Sequence, residues 1–195
     1  MFDNQKQAQE LNCKLIAGKV RVSNVDDFLS LLKTIAHKYD VTIQAMNAEL
    51  IAGEEHIKSA VKKALRAVER NRNITNDLGL EILLYAAGRR QIERALAMGV
   101  SESEGENAKT VAIVIVDASA RAQREKDLEM VAEEVKRKIG VQEEPISELE
   151  LEYKENKKEG IKKFFDITEA ELKAVGESKL KKLVLERVAM LDVLK

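Results

Sequence analysis

A chain of 195 residues, 45% hydrophobic and 34% charged with a net charge of −1, is long enough to bury a core and too balanced to be a polycation. Three Tyr, four Phe and no Trp weigh against an RNA-recognition sheet that stacks several bases on aromatic rings. A single cysteine, Cys13, excludes an internal disulfide and points to a reducing compartment.

The opening MFDNQKQAQELN has no apolar signal-peptide core, and no later run approaches a membrane span. A cytoplasmic protein without membrane contact is expected. Over residues 13–22, Leu15, Ala17, Val20 and Val22 interleave with Lys14, Lys19 and Arg21, and Gly18 interrupts, which predicts a strand pair or a bulged strand. Asn24, Asp26 and Asp27 then open a helix that turns Val25, Phe28, Leu32, Ile35 and Ala36 inward. His37 lies near its end, where it complements the helix dipole. Val41 to Met46 alternates again and predicts a second strand.

The next helix, from about Gly53 to Arg70, splits into two faces. Ile57, Ala60, Val61, Ala64, Leu65 and Val68 recur at the spacing of a buried stripe. Lys58, Lys62, Lys63, Arg66 and Arg70 fall within roughly 140° on the other side, at about 100° per residue. No acid occurs between His56 and Val68, although wet helix faces normally mix signs. From Lys58 to Arg94 nine bases stand against four acids, a local +5; from Glu125 to Glu159 twelve acids stand against seven bases, a local −5. Such a dipole orients a polyanion toward one end of a molecule. The stripe is either a solvated face paired with acids elsewhere or a phosphate track, since i, i+4, i+8, i+12 supplies a charge every ~6 Å.

Asn71 to Asn76 reads as a polar turn, with Asn76 as the N-cap of a helix over Asp77–Ala87 that is apolar nearly all round. Glu81 interrupts it and reads as a carboxylate buried beside an arginine. Gly88 ends that helix. A short one runs from Arg89 to Met98, with Gly99 as a left-handed terminator. Thr110 to Val116 (TVAIVIV) is a strand covered on both faces. Ala118–Ile139 is helical, with Leu128, Val131, Ala132, Val135 and Ile139 inward and Gly140 ending it. Pro145 sits in the connection, and the charged stretch Leu149–Gly160 is a further helix. Thr168 and Glu171 form a capping box, with Ile167 and Leu172 as its staple. The last helix, Ser178–Val193, carries Leu180, Leu183, Val184, Val188 and Leu191 in one stripe. Arg187 projects from that stripe and either pairs with an acid or marks a docking surface. The order predicts an α+β protein: a small β-sheet covered by helices over about residues 13–117, then a helical C-terminal region over about 118–195, in one domain.

No P-loop, GxGxxG, HExxH, CxxC or GxSxG pattern occurs, and His37 and His56 lack metal-ligand spacing. Nothing pairs a nucleophile with a base, so no enzyme, cofactor or metal is expected. His56 reads as a helix-start residue bonded to local backbone, or as a ligand contact.

At Ala52-Gly-Glu-Glu-His56, Arg72-Asn-Ile-Thr-Asn76 and Glu81-Ile-Leu-Leu-Tyr-Ala-Ala-Gly-Arg-Arg-Gln-Ile92 the chain resembles a known family. Phe164-Phe-Asp-Ile-Thr-Glu-Ala-Glu-Leu172 and Leu183 to Leu194 extend the likeness. It is similar to the tRNA-binding, kinase-associated small subunit of the KEOPS complex, the family of the PRPK-binding protein TPRKB. The resemblance implies an accessory subunit rather than an enzyme. Its complex makes the threonylcarbamoyl modification on an adenosine beside the tRNA anticodon. Its partners would be the kinase-like ATPase subunit and, through it, the catalytic subunit, with substrate tRNA held by the single-stranded 3′ CCA end.

On charge geometry and motif position, Lys58, Lys62, Lys63, Arg66, Arg70 and Arg72 are the expected phosphate contacts. Asn73, Asn76, Arg89, Arg90 and His56 are placed at the unpaired 3′ end. Arg187 and Leu191 are the candidate partner contacts. The rival reading is a protein-interaction regulator of the kinase-like partner with no RNA role of its own.

Overall fold

The computed structural model describes residues 11–118, 127–151 and 154–194. Its centre is an antiparallel sheet of β1 (Cys13–Val20), β2 (Thr42–Asn47), β3 (Lys109–Val116) and β4 (Gln142–Glu144), in the order β2-β3-β1-β4. The β-branched run of β3 explains its inner position. Val111, Ile113 and Ile115 face one side, Ala112, Val114 and Val116 the other, and all are fully buried. Helices α1 (Val25–Tyr39) and α5 (Leu128–Ile139) cover the first face through Phe28, Leu32, Ile35, Val131 and Val135. The second face carries the larger core, built by α2 (Glu54–Glu69), α3 (Leu78–Ala87), α6 (Glu155–Phe164), α7 (Glu169–Val175) and α8 (Leu180–Leu194). The short α4 (Ile92–Leu96) leads from α3 back toward the sheet. The fold is α+β, with helices filling the C-terminal part, as expected.

Several elements differ from the sequence reading in ways that have physical causes. Strand β1 is continuous: Cys13 to Val20 pair residue for residue with Val116 to Lys109, without a bulge. Gly18 is there because β4 comes close, and a Cβ on it would lie 2.4 Å from the Gln142 carbonyl oxygen. β4 itself, three charged or polar residues, has no alternating pattern to betray it. Asp77 rather than Asn76 caps α3, its carboxylate accepting from the Leu80 N–H at 3.0 Å. Gly99 does not adopt the left-handed conformation; α4 runs out through a right-handed Ala97. Of the Leu149–Gly160 stretch, Leu149 closes a 3₁₀ turn that starts at Ile146, and the helix, α6, begins only at Glu155. Helix α5 starts at Leu128 on an Asp127 cap; the part of its expected span over 119–126 lies outside the described residues. The capping box Thr168–Glu171 is present in both directions. Among the described residues, no helix is long and apolar enough to cross a membrane.

The Gly18 contact generates a test. Gly18→Val forces its side chain onto the β4 backbone and is expected to cost ~1–3 kcal/mol in urea unfolding. An unchanged midpoint would show that β4 gives way freely.

Candidate functional site

The basic helix α2 is held by residues far away in sequence. Its N-cap, Gly53, offers no side chain, and the carboxylate of Glu150 takes that place. Glu150 Oε1 accepts from the Glu54 N–H at 3.2 Å, and Lys181 of α8 donates to Oε2 at 3.1 Å. A carboxylate at this end also meets the positive pole of the helix. Gly53, at φ +110, leaves the space: a Cβ would lie 2.4 Å from Glu150 Oε2.

His56 is fully buried in the first turn of α2. The Ala52 N–H donates to Nδ1 at 3.1 Å, which makes Nε2 the protonated nitrogen; it donates to the Ala86 carbonyl at 2.8 Å. The Phe165 ring meets the imidazole edge-on at 5.7 Å between centroids. Burial pushes the His56 pKa down to about 4, so the ring is neutral at physiological pH. The expectation that His56 faces a ligand is therefore corrected. Both ring nitrogens are used inside the protein, where they tie the start of α2 to the end of α3.

With that end held, Ile57, Ala60, Val61 and Ala64 of α2 face the core and its cations face out; Val68, expected in the stripe, is exposed, and Ala67 is buried instead. The cations are not equivalent. Lys58 pairs with Glu54 one turn earlier, at 2.7 Å. Lys63 is drawn back to Asp192 of α8, at 3.1 Å. Lys62, Arg66 and Arg70 are exposed and, among the described residues, form no ion pair. These three sit at i, i+4 and i+8, about 6 Å apart along the axis.

The turn beyond α2 is rigid for reasons its sequence carries. Asn71 takes the left-handed conformation (φ 52), its N–H bonds the Val68 carbonyl at 3.0 Å, and the Arg72 N–H bonds that of Ala67 at 2.8 Å. This is a Schellman ending with Asn in the left-handed position. The fully buried carboxylate of Glu81 then accepts from the Ile74 and Thr75 N–H groups at 2.9 and 3.1 Å. Glu81, expected beside an arginine, holds the Arg72–Asn76 loop by its backbone. Asn73 is spent on the loop as well, donating to the Thr75 carbonyl at 2.9 Å and to Asn76 Oδ1 at 3.3 Å. Arg72 and Asn76 remain exposed beside the end of α2.

Arg89 and Arg90 lie at the other end of the hairpin. The ten residues of α3 run ~15 Å back toward the start of α2, so these arginines are not beside the loop. Arg90 is exposed. Arg89 turns inward, donating to the Phe164 carbonyl at 2.8 Å and to Asp166 at 2.6 Å. Arg187 makes the matching contact from α8, to Glu171 at 2.5 Å and the Phe165 carbonyl at 3.4 Å. The Thr168 backbone N–H and Arg187 together hold the Glu171 carboxyl down at about 2. Leu191 is fully buried, so its place among the partner contacts is corrected. Among the described residues, the large apolar side chains that α8 exposes are Met190 and Val193.

Two residues important to this surface escaped the sequence reading. Asp192 accepts from both Lys63 and the hydroxyl of buried Tyr85. It left one signal, a carboxylate in the last turn of a helix, where the dipole disfavours it. Glu150 left none, because its partner is 96 positions away. Among the described residues no group of acids, histidines or cysteines is arranged to hold a metal.

The family model for the kinase binding protein CGI-121 matches residues 2–192. The chain belongs to the CGI-121 family. The match spans the sheet, the basic helix with its anchored loop, and the C-terminal helices. A search of curated proteins finds no match. In this CGI-121 chain, Ala52–His56 and Glu81–Ile92 are accounted for largely by internal bonds, as are Lys58 and Lys63 of α2, whereas Lys62 and Arg66 form no ion pair among the described residues.

Two predictions follow from the buried groups. Because His56 titrates at about 4 in the fold and 6.5 when free, the unfolded chain binds the extra proton in that window. Stability therefore falls as pH drops through it, by up to ~3 kcal/mol. Unfolding free energies at neutral and acid pH should converge once His56→Gln removes this component. Glu81→Ala leaves two backbone N–H groups without their acceptor and should cost about 2 kcal/mol or more. Amide exchange at Ile74 and Thr75 should accelerate beyond the global change; if it does not, the loop has another anchor.

Proposed function

We propose that this protein is a non-catalytic subunit of the KEOPS tRNA-modification complex, working in the cytoplasm. In that role it binds the kinase-like ATPase subunit and recruits substrate tRNA by its unpaired 3′ CCA end. The kinase partner follows the description of its family. The RNA role rests chiefly on one observation: Lys62, Arg66 and Arg70 stand in line, exposed and without an ion pair among the described residues, and are followed by exposed Arg72 and Asn76. Phosphates need such a row of charges, and unpaired bases need nearby amide and guanidinium groups. Lys58, Lys63 and Asn73 belong to the same surface but start from internal partners. Arg89 and Arg90 belong to its far end.

The rival reading, a regulator of the kinase partner without an RNA role, draws on exposed Met190 and Val193 of α8. The decisive measurement is tRNA affinity against salt for the isolated protein. Lys62→Glu with Arg66→Glu should weaken binding at least tenfold near 0.1 M salt and flatten the log–log slope by about 1.4. Removing the terminal CCA should weaken it comparably. Binding that ignores both changes would leave the regulator reading.

A further inference from the structure

Lys63 belongs to the outward stripe of α2 by direction, only ~20° from Arg70 and ~60° from Arg66 around the axis. Its ammonium nevertheless points away from that face, because Asp192 holds it at 3.1 Å with the lysine side chain only 19% exposed. The carboxylate is itself fixed. The Tyr85 hydroxyl donates to its other oxygen from a fully buried ring that cannot follow a moving partner. Asp192 also sits in the last turn of α8, where the helix dipole opposes a negative charge. Lys63 and Tyr85 offset that cost. A lysine stem is long and freely jointed, so Lys63 would reach a phosphate once released, but Asp192, itself fixed by the Tyr85 hydroxyl, keeps it from doing so.

We infer that Asp192 attenuates the polyanion affinity of the basic face by withholding Lys63 from it. The inference rests on the RNA reading above and adds a regulating carboxylate to it. Phosphate and Asp192 compete for one ammonium, so the protein binds RNA more weakly than its cation count allows. Asp192 is a positioning residue in this scheme and touches no RNA.

The test uses the full chain and a tRNA carrying its 3′ CCA, with affinity measured over a series of salt concentrations. Asp192→Asn keeps an oxygen for Tyr85 and removes the charge. It should bind roughly three- to tenfold tighter near 0.1 M salt, with a log–log slope steeper by about 0.7, one more single-strand phosphate. Adding Lys63→Gln should cancel both gains. Lys63→Gln alone should leave the slope of the unaltered protein, unlike Lys62→Gln, which should flatten it. A folded Asp192→Asn protein with unchanged or weaker affinity overturns the inference, and so does a flattened slope in Lys63→Gln alone. Should Asp192→Asn fail to fold, the Lys63→Gln slope decides. The Lys62→Glu, Arg66→Glu protein separates the two levels. If it binds tRNA normally, the RNA reading falls and this inference with it. If it loses binding while Asp192→Asn changes nothing, only the attenuation falls.

Discussion

The outward display of α2 depends on one buried imidazole. His56 spans from the Ala52 N–H to the Ala86 carbonyl, with Phe165 against its edge. A helix with an apolar stripe has some freedom to roll on its core; a ring bonded at both nitrogens to two different segments removes it. The roll is what separates a row of cations in water from a row facing its neighbours. Glu150 fixes the same end from outside, through the Glu54 N–H and Lys181. The start of α2 is thus joined to α3 on one side and α8 on the other.

Charge in this molecule is divided between construction and display. Arg89 and Arg187 converge on the turn between α6 and α7, each taking a backbone carbonyl and a carboxylate. Guanidinium suits that work, since its planar fork serves two acceptors together. Lys154 and Lys158 pair locally with Glu148 and Glu155. Lys157 turns inward to the Leu149 carbonyl at 2.7 Å, and burial lowers its pKa to about 8. The acid-rich stretch around α6 is in this way largely neutralised by its own lysines. Other exposed cations, such as Lys138 and Lys173, also form no ion pair among the described residues; what Lys62, Arg66 and Arg70 add is a four-residue spacing along one helix face.

Periodicity made much of this fold legible. The stripe of α2 as far as Leu65, the two-faced run of β3 and the capping box at Thr168 are local signals, and each appears where its residues point. Glycine was less transparent. Gly18 reads as a break, yet it marks a close approach by β4, which is too short and too polar to announce itself. The site divided in the same way. Charge spacing picked out the face, but not that Lys63 is claimed by Asp192 or that His56 and Leu191 are interior. Those facts depend on which helix lies alongside, and pair contacts between distant segments leave no period in one chain. The family resemblance supplied the ligand class, while residue chemistry supplied only its physical plausibility.

The anchoring of the Arg72–Asn76 loop by Glu81 bears on how any substitution survey of this protein should be scored. Glu81 meets no solvent, yet two backbone amides of the loop rest on its oxygens. Its replacement would displace exposed neighbours while leaving every surface side chain intact. Assays that count only captured ligand would rank it with direct contacts. Position in such a ranking therefore measures dependence on the loop's shape as much as touch, and a stability readout beside each capture value is what tells the two apart.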